Sequence, residues 1–195
     1  MKHVMLDLET MGNGNRAAIV AIGACEFDPA GASRGSGNPD TPITNKFYCQ
    51  VALQSSMGAG LDIDVSTILW WMQQSDAARK STFCGDNTQL LPTALLKFRE
   101  WLQSLMSISE VSRASGFDVA VWGNGATFDN VIIRSAYKAC GLRCPWSFRT
   151  DKCYRTVKNL APQVPFEKYG TAHNALDDAI AQALHLQKVW KALGL

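Results

Sequence analysis

The chain is poor in the residues that build zinc and disulfide frameworks. It has three histidines in 195 residues, and its six cysteines (Cys25, Cys49, Cys84, Cys140, Cys144 and Cys153) form no Cys-x-x-Cys pair. A structural zinc site is therefore not expected, with Cys140, Cys144 and Cys153 the one grouping that spacing leaves to consider. Reduced, mostly buried thiols are the simpler reading. Long apolar runs are missing too: none approaches the roughly 20 residues that a spanning helix needs. The first residues, MKHVMLDLE, meet acids too early for a signal peptide. These absences predict a soluble, cytoplasmic protein with no membrane partner. With 47% hydrophobic and 18% charged residues, one core in a single domain over residues 1–195 is expected.

A local counter-charge is lacking as well. Val4–Gly12 reads VMLDLETMG, an apolar strand that carries Asp7 and Glu9, and no Lys or Arg lies between Lys2 and Arg16. Alternation along a strand puts both acids on one face. Two carboxylates about 4 Å apart repel by roughly 4 kcal/mol at an effective dielectric of 20. A divalent cation would hold them together; an edge strand whose acids face water would also accommodate them, and this stretch alone does not choose.

What is present elsewhere narrows the choice. The net charge is +2, but residues 130–166 hold seven basic side chains (Arg134, Lys138, Arg143, Arg149, Lys152, Arg155 and Lys158) against one acid, Asp151. Such a segment suits either the backbone of a phosphate polymer or a solvated helix face.

Along the chain, residues 17–27 and 45–52 predict two further strands, giving an antiparallel meander, and residues 30–44 (AGASRGSGNPDTPIT) read as a loop. Residues 62–80 predict one helix, capped by Asp64 or Ser66, with Ile68, Leu69 and Met72 on one side. Its Trp70-Trp71 pair cannot direct both rings alike. One fills the core, and the other either packs as well or offers a stacking surface. Residues 90–106 predict a helix with Pro92 in its first turn and Leu95, Phe98, Leu102 and Leu105 at helical intervals; 107–116 reads as a loop. Residues 119–123 form a short buried strand whose turn leads straight into a helix from Asp129 to about Cys140. Asp129 then sits at a sheet's carboxyl end and a helix's positive end, either as a ligand or as a cap. Residues 149–160 predict a basic helix. The last helix opens within Thr171–Asp178 and packs through Leu176, Ile180, Leu184 and Trp190.

Taken in order, Asp7, Glu9 and Thr10 in DLETMG, Asp129 ending NGATFD, and His173 with Asp178 in HNALDD are similar to the three motifs of the DEDDh (DnaQ-like) 3′→5′ exonucleases. The resemblance runs from residue 4 to about 188 and is nearest to stand-alone enzymes of phage and prophage type. It implies an α/β, ribonuclease-H-like fold: a mixed five-stranded sheet, strands 1–3 antiparallel and the rest parallel, flanked by helices. It implies Asp7, Glu9, Asp129 and Asp178 as ligands of two Mg²⁺ or Mn²⁺ ions, His173 as general base, and 3′ ends of single-stranded DNA or RNA as substrate. Several relatives pair up, so a homodimer is part of the expectation.

By the same resemblance, Thr10, Met11 and Gly12 hold the terminal nucleotide, Met11 serving either as a wedge against its base or as core filler. Phe128 and Arg155 join this substrate set, with Arg134, Lys152 and Lys158 as further candidates for phosphate contact. His3 and His185 are expected to be structural or solvated. Were His173 helical, the i to i+4 rule would pair it with Asp177; a histidine in the loop before the helix, as in the family, favours Asp178. Two features depart from the pattern. Gly125 stands four residues before Asp129 where many relatives have Asn, and about 120 residues separate Glu9 from Asp129. A non-catalytic nucleic-acid-binding module and a small-substrate metal-dependent phosphatase are the alternatives; retention of the acids and the histidine argues against the first.

Overall fold

The computed structural model describes residues 1–31, 43, 45–85, 87–106 and 116–195. Most of the 30–44 loop and of the 107–116 loop lies outside the described residues. Five strands form one sheet: β1 (Lys2–Thr10), β2 (Ile19–Phe27), β3 (Lys46–Gln50), β4 (Val119–Gly123) and β5 (Asp151–Cys153). The helices are α1 (Leu53–Gly58), α2 (Val65–Met72), α3 (Asp76–Phe83), α4 (Leu91–Ser104), α5 (Asp129–Ala139), α6 (Tyr154–Lys158) and α7 (Ala175–Ala192). The strand order is β3-β2-β1-β4-β5. β1, β2 and β3 pair antiparallel, and β4 runs parallel to both β1 and β5. This is the mixed sheet expected above. Among the described residues no helix is long and apolar enough to cross a membrane.

β1 is central and covered on both faces, which is why it reads as a nearly continuous apolar run. Val4, Leu6 and Leu8 join the main core with Leu95 and Phe98 of α4 and Ile132, Ile133 and Tyr137 of α5. Met5 points the other way, into a smaller core with Cys25, Trp122 and Ala179, Ala183 and Leu186 of α7. Two and four residues further along that second face come Asp7 and Glu9. Their neighbours on β2 are small: Gly23 is paired with Asp7, and Ala21 with Glu9. That lets the first turn of α7 lie directly on the sheet. A Cβ at Gly23 would stand 2.1 Å from the carbonyl carbon of Ala175.

Several elements differ from the sequence reading. The 62–80 helix is two helices, because Ser75 caps α3 by accepting from the Ala78 N–H, while the Arg79 guanidinium takes up the Met72 and Gln74 carbonyls left by the break. Asp64 caps α2, accepting from the Ser66 N–H. The buried residue of α2 is Trp71, not the Leu69 and Met72 side, which is exposed. The basic helix begins only at Tyr154; Phe148–Thr150 is a 3₁₀ turn, and Asp151–Cys153 pairs with β4 as the edge strand. α1 has no side-chain cap and left no signal. The four residues expected to pack α7 do so, Ile180 within the smaller core and Leu176, Leu184 and Trp190 partly buried against it, while alanines at 175, 179 and 183 lie at the closest approach. All six cysteines are free, but only Cys25 and Cys49 are buried, with Cys84 exposed.

Gly23→Ala is expected to lower the unfolding free energy by roughly 1–3 kcal/mol, since the added methyl meets backbone that cannot swing aside. Gly14→Ala, with nothing within 4 Å of its Cβ, should leave the urea midpoint nearly unmoved.

Candidate active site

The parallel ladder between β1 and β4 ends at Met5 and Trp122. Beyond it the strands part, and Leu8 of β1 turns its N–H to a side chain: it donates to Asp129 Oδ1 at 3.1 Å. Asp129 opens α5, and its Oδ2 accepts from the Asn124 N–H at 2.7 Å. Asn124 thus bonds Asp129 through its backbone, while its side-chain oxygen accepts from Arg155 Nε at 3.4 Å.

Across the parting, Asp7, Glu9 and Asp178 each bring a carboxylate oxygen within 4.8 Å of the other two. Asp129 is not one of this trio but stands beside it and adds to the charge felt by Asp7 and Glu9. α7 supplies Asp178 in its first turn, after Asn174 caps the helix by accepting from the Leu176 and Asp177 N–H groups. Asp178 Oδ2 accepts from the His173 N–H at 3.0 Å. Asp177 turns the other way and accepts from the Thr171 N–H at 2.7 Å, against the Gly170 turn. The two acids are thereby separated: Asp178 belongs to the carboxylate cluster, and Asp177 fastens the loop that precedes it.

The electrostatics follow from crowding and burial. Burial first, then Asp129, Glu9 and Asp178, push the Asp7 carboxyl well above the usual carboxylate range. Glu9 is raised to about 8 by burial and by Asp178 and Asp129. Asp129 rises to about 6 through burial, offset in part by its backbone hydrogen bonds. Burial also raises Asp178, against the pull of the His173 N–H. Among the described residues, none of these four acids forms an ion pair with a lysine or arginine. All the donors are hard oxygens, the set suited to Mg²⁺ or Mn²⁺ rather than to a soft metal.

Asp7, Glu9 and Asp178 line a cleft of about 550 Å³ that also exposes Thr10, Gly12, Trp70, Asn124, Phe128, Arg155, Lys158, Phe166 and His173, with Asp129 buried behind it. Thr10 is fastened at both ends: its hydroxyl donates to the Gly12 carbonyl, and its own carbonyl accepts from Trp71 Nε1. His173 precedes α7 in the left-handed region, φ 62°, a conformation that strains a non-glycine residue. Its carbonyl is held by the Thr82 hydroxyl at 3.0 Å, and its ring sits edge-on to Trp70, 4.9 Å between centroids.

Not every residue expected at the site is there. Met11 is 8% exposed, packed in the main core and outside the cleft lining. Arg134 is committed to Asp151 through two hydrogen bonds and lies over Trp146, and Lys152 is outside the cleft; neither is placed for phosphate contact there. His3 accepts from Trp122 Nε1, and His185 is buried between the Tyr154 hydroxyl and the Val164 carbonyl. Gln182 was missed. It donates to Asp7 Oδ1 at 2.7 Å, and its spacing of four from Asp178 was the available signal.

A sheet of this order, with carboxylates gathered where β1 and β4 part, is a fold shared with a solved DEDDh nuclease domain. The chain belongs to the family described as the 3′-5′ exoribonuclease Rv2179c-like domain, which matches residues 2–190. It is similar to an exodeoxyribonuclease of Enterobacteria phage T4, 29% identical over 106 residues, or 51% of this chain. The match takes in 43% of that relative, less than half its length. Among solved structures, the nuclease domain of 3′hExo, a DEDDh family member bound to rAMP, matches 98% of this chain and 92% of its own, with TM-score 0.58 and 14% identity. A 3′-exonuclease described in 3′-end-specific recognition of a histone mRNA stem-loop matches 98% and 82%, with TM-score 0.59 and 11% identity. At these identities the likeness is one of fold.

Glu9 makes the electrostatics measurable. Its carboxyl, held to about 8 in the folded chain against an ordinary 4.5, keeps a proton that the unfolded chain has released. Its contribution to stability is therefore full below about pH 4.5 and lost as the pH rises through about 8. Thermal unfolding in chelator is expected to show falling stability across that window. Glu9→Gln should flatten the slope, and a divalent cation that binds the folded chain alone would oppose it.

Proposed function

We propose that the chain is a divalent-cation-dependent 3′→5′ exonuclease that releases nucleoside 5′-monophosphates from the 3′ end of single-stranded RNA or DNA. The observation that carries this reading is the convergence of Asp7, Glu9 and Asp178 oxygens within 4.8 Å, beside Asp129 and, among the described residues, without an ion-paired lysine or arginine. Asp7, Glu9, Asp129 and Asp178 would hold two Mg²⁺ or Mn²⁺ ions. When bound, such ions offset the charge of a phosphodiester, favour ionisation of water and steady a departing 3′ oxygen. Asp129 keeps lone pairs free for this, because its two backbone hydrogen bonds use only half of a carboxylate's acceptor sites.

The other cleft residues take complementary roles. His173 accepts the proton of the attacking water as the bond between phosphorus and the 3′ oxygen breaks, a role imidazole suits near neutral pH. Thr10 and Gly12 meet the terminal nucleotide. Trp70, 42% exposed while Trp71 is 3% exposed, offers a ring to a base, with Phe128 and Phe166 also in the lining. Arg155 and Lys158 of α6 grip phosphate oxygens without reading sequence.

The test is a 5′-end-labelled single strand, as RNA and as DNA, with Mg²⁺ or Mn²⁺. A ladder shortening from the 3′ end supports the proposal and ranks the two polymers. Intact polymer with hydrolysed free nucleotides would favour a phosphatase instead.

Three substitutions separate the roles. His173→Ala is expected to lower kcat by roughly 10²–10⁴-fold while Mn²⁺ binding persists. Asp178→Asn should lose both cation binding and turnover, whereas Asp177→Asn, whose amide oxygen still accepts from Thr171, should retain them. Trp70→Ala should raise KM for single strands by a factor corresponding to roughly 1–3 kcal/mol, and Trp70→Phe should restore most of it; steady-state kinetics on one oligonucleotide series measures both.

A further inference from the structure

α7 carries Asp178 and Gln182 four residues apart, hence on one face and a turn from each other. Asp178 meets Asp7 and Glu9 directly, and Gln182 Nε2 donates to Asp7 Oδ1 at 2.7 Å. Gln182 is 4% exposed, lines the cleft, and its Oε1 is buried with no hydrogen-bond partner. Among the described residues, the bond to Asp7 is thus the one hydrogen bond this amide makes.

An unpaired buried amide oxygen destabilises a fold, and an apolar side chain of the same volume would fill the position without it. What the amide supplies is orientation: it fixes the rotation of a carboxylate that has no other hydrogen-bond donor shown. It also leaves the charge of that carboxylate intact, which a lysine or arginine at 182 would not. We propose that Gln182 is a positioning residue that holds the Asp7 carboxylate ready for a divalent cation. This rests on the cation-dependent reading above, and it concerns Asp7 rather than any contact with substrate.

The test uses the full chain as wild type, Gln182→Met and Gln182→Leu, each stripped with chelator. Two quantities are measured: the Mn²⁺ dissociation constant by calorimetry, and cleavage of a labelled single strand as Mn²⁺ is raised. Both variants are expected to bind Mn²⁺ roughly 10–100-fold more weakly, as when an outer support of a metal ligand is removed. Cleavage should recover toward wild type at high Mn²⁺. Unchanged Mn²⁺ affinity in both variants overturns the proposal. So does cleavage that stays low in both variants at saturating Mn²⁺, which would assign Gln182 to packing. A wild-type chain that takes up no Mn²⁺ overturns the exonuclease reading itself and this inference with it, whereas the other results bear on Gln182 alone.

Discussion

Four carboxyl groups crowd together where β1 ends, and among the described residues none is ion-paired with a lysine or arginine. Three of the four acids accept backbone N–H groups or an amide in place of a cation: Leu8 and Asn124 serve Asp129, His173 serves Asp178, and Gln182 serves Asp7. Two helix N-termini add their positive ends, with Asp129 opening α5 and Asp178 in the first turn of α7. Dipoles of this kind orient carboxylates and ease their burial but carry no net charge. The cluster therefore keeps its attraction for an ion from solution, which internal salt bridges would have quenched.

The rest of the fold can be understood as the rigid support this cluster requires. A sheet with an apolar core on each face resists the separation that repulsion would drive. The second face of β1 changes character within one strand, from Met5 in the smaller core to Asp7 and Glu9 in the cleft. Because Gly23 and Ala21 lie opposite those acids, the helix that brings the third carboxylate rests on backbone. On the far wall, Trp71 binds the Thr10 carbonyl and Thr82 binds the His173 carbonyl. The α2–α3 segment thus ties the end of the first strand to the loop before the last helix.

How much of this could be read from residues alone varied with the physical signal. β1 was legible because two acids in an apolar run contradict each other, and a contradiction of that kind needs an explanation. Asp129 was legible from a strand, a small-residue turn and a helix start in succession. The break between α2 and α3 was not, because helical apolar spacing continues across Ser75, although Ser-Asp-Ala-Ala is a recognisable capping sequence. β5 was hidden because three residues have no periodicity; its place is set by Asp151, which Arg134 and Trp146 hold from elsewhere in the chain. The same pairing removed Arg134 from the phosphate candidates, something that a count of basic residues cannot see. Gln182 looked like any polar residue on a helix until a partner 175 positions away gave it a role.

The N–H of His173 and the carboxylate of Asp178 meet over five residues of chain, and that oxygen-bearing group belongs to the trio as well. Any change at 178 therefore disturbs two things at once, the ionic cage and the seat of the imidazole. Losses caused by altering the two positions separately will not add, and a double-mutant cycle across them should return a large interaction energy instead of independence.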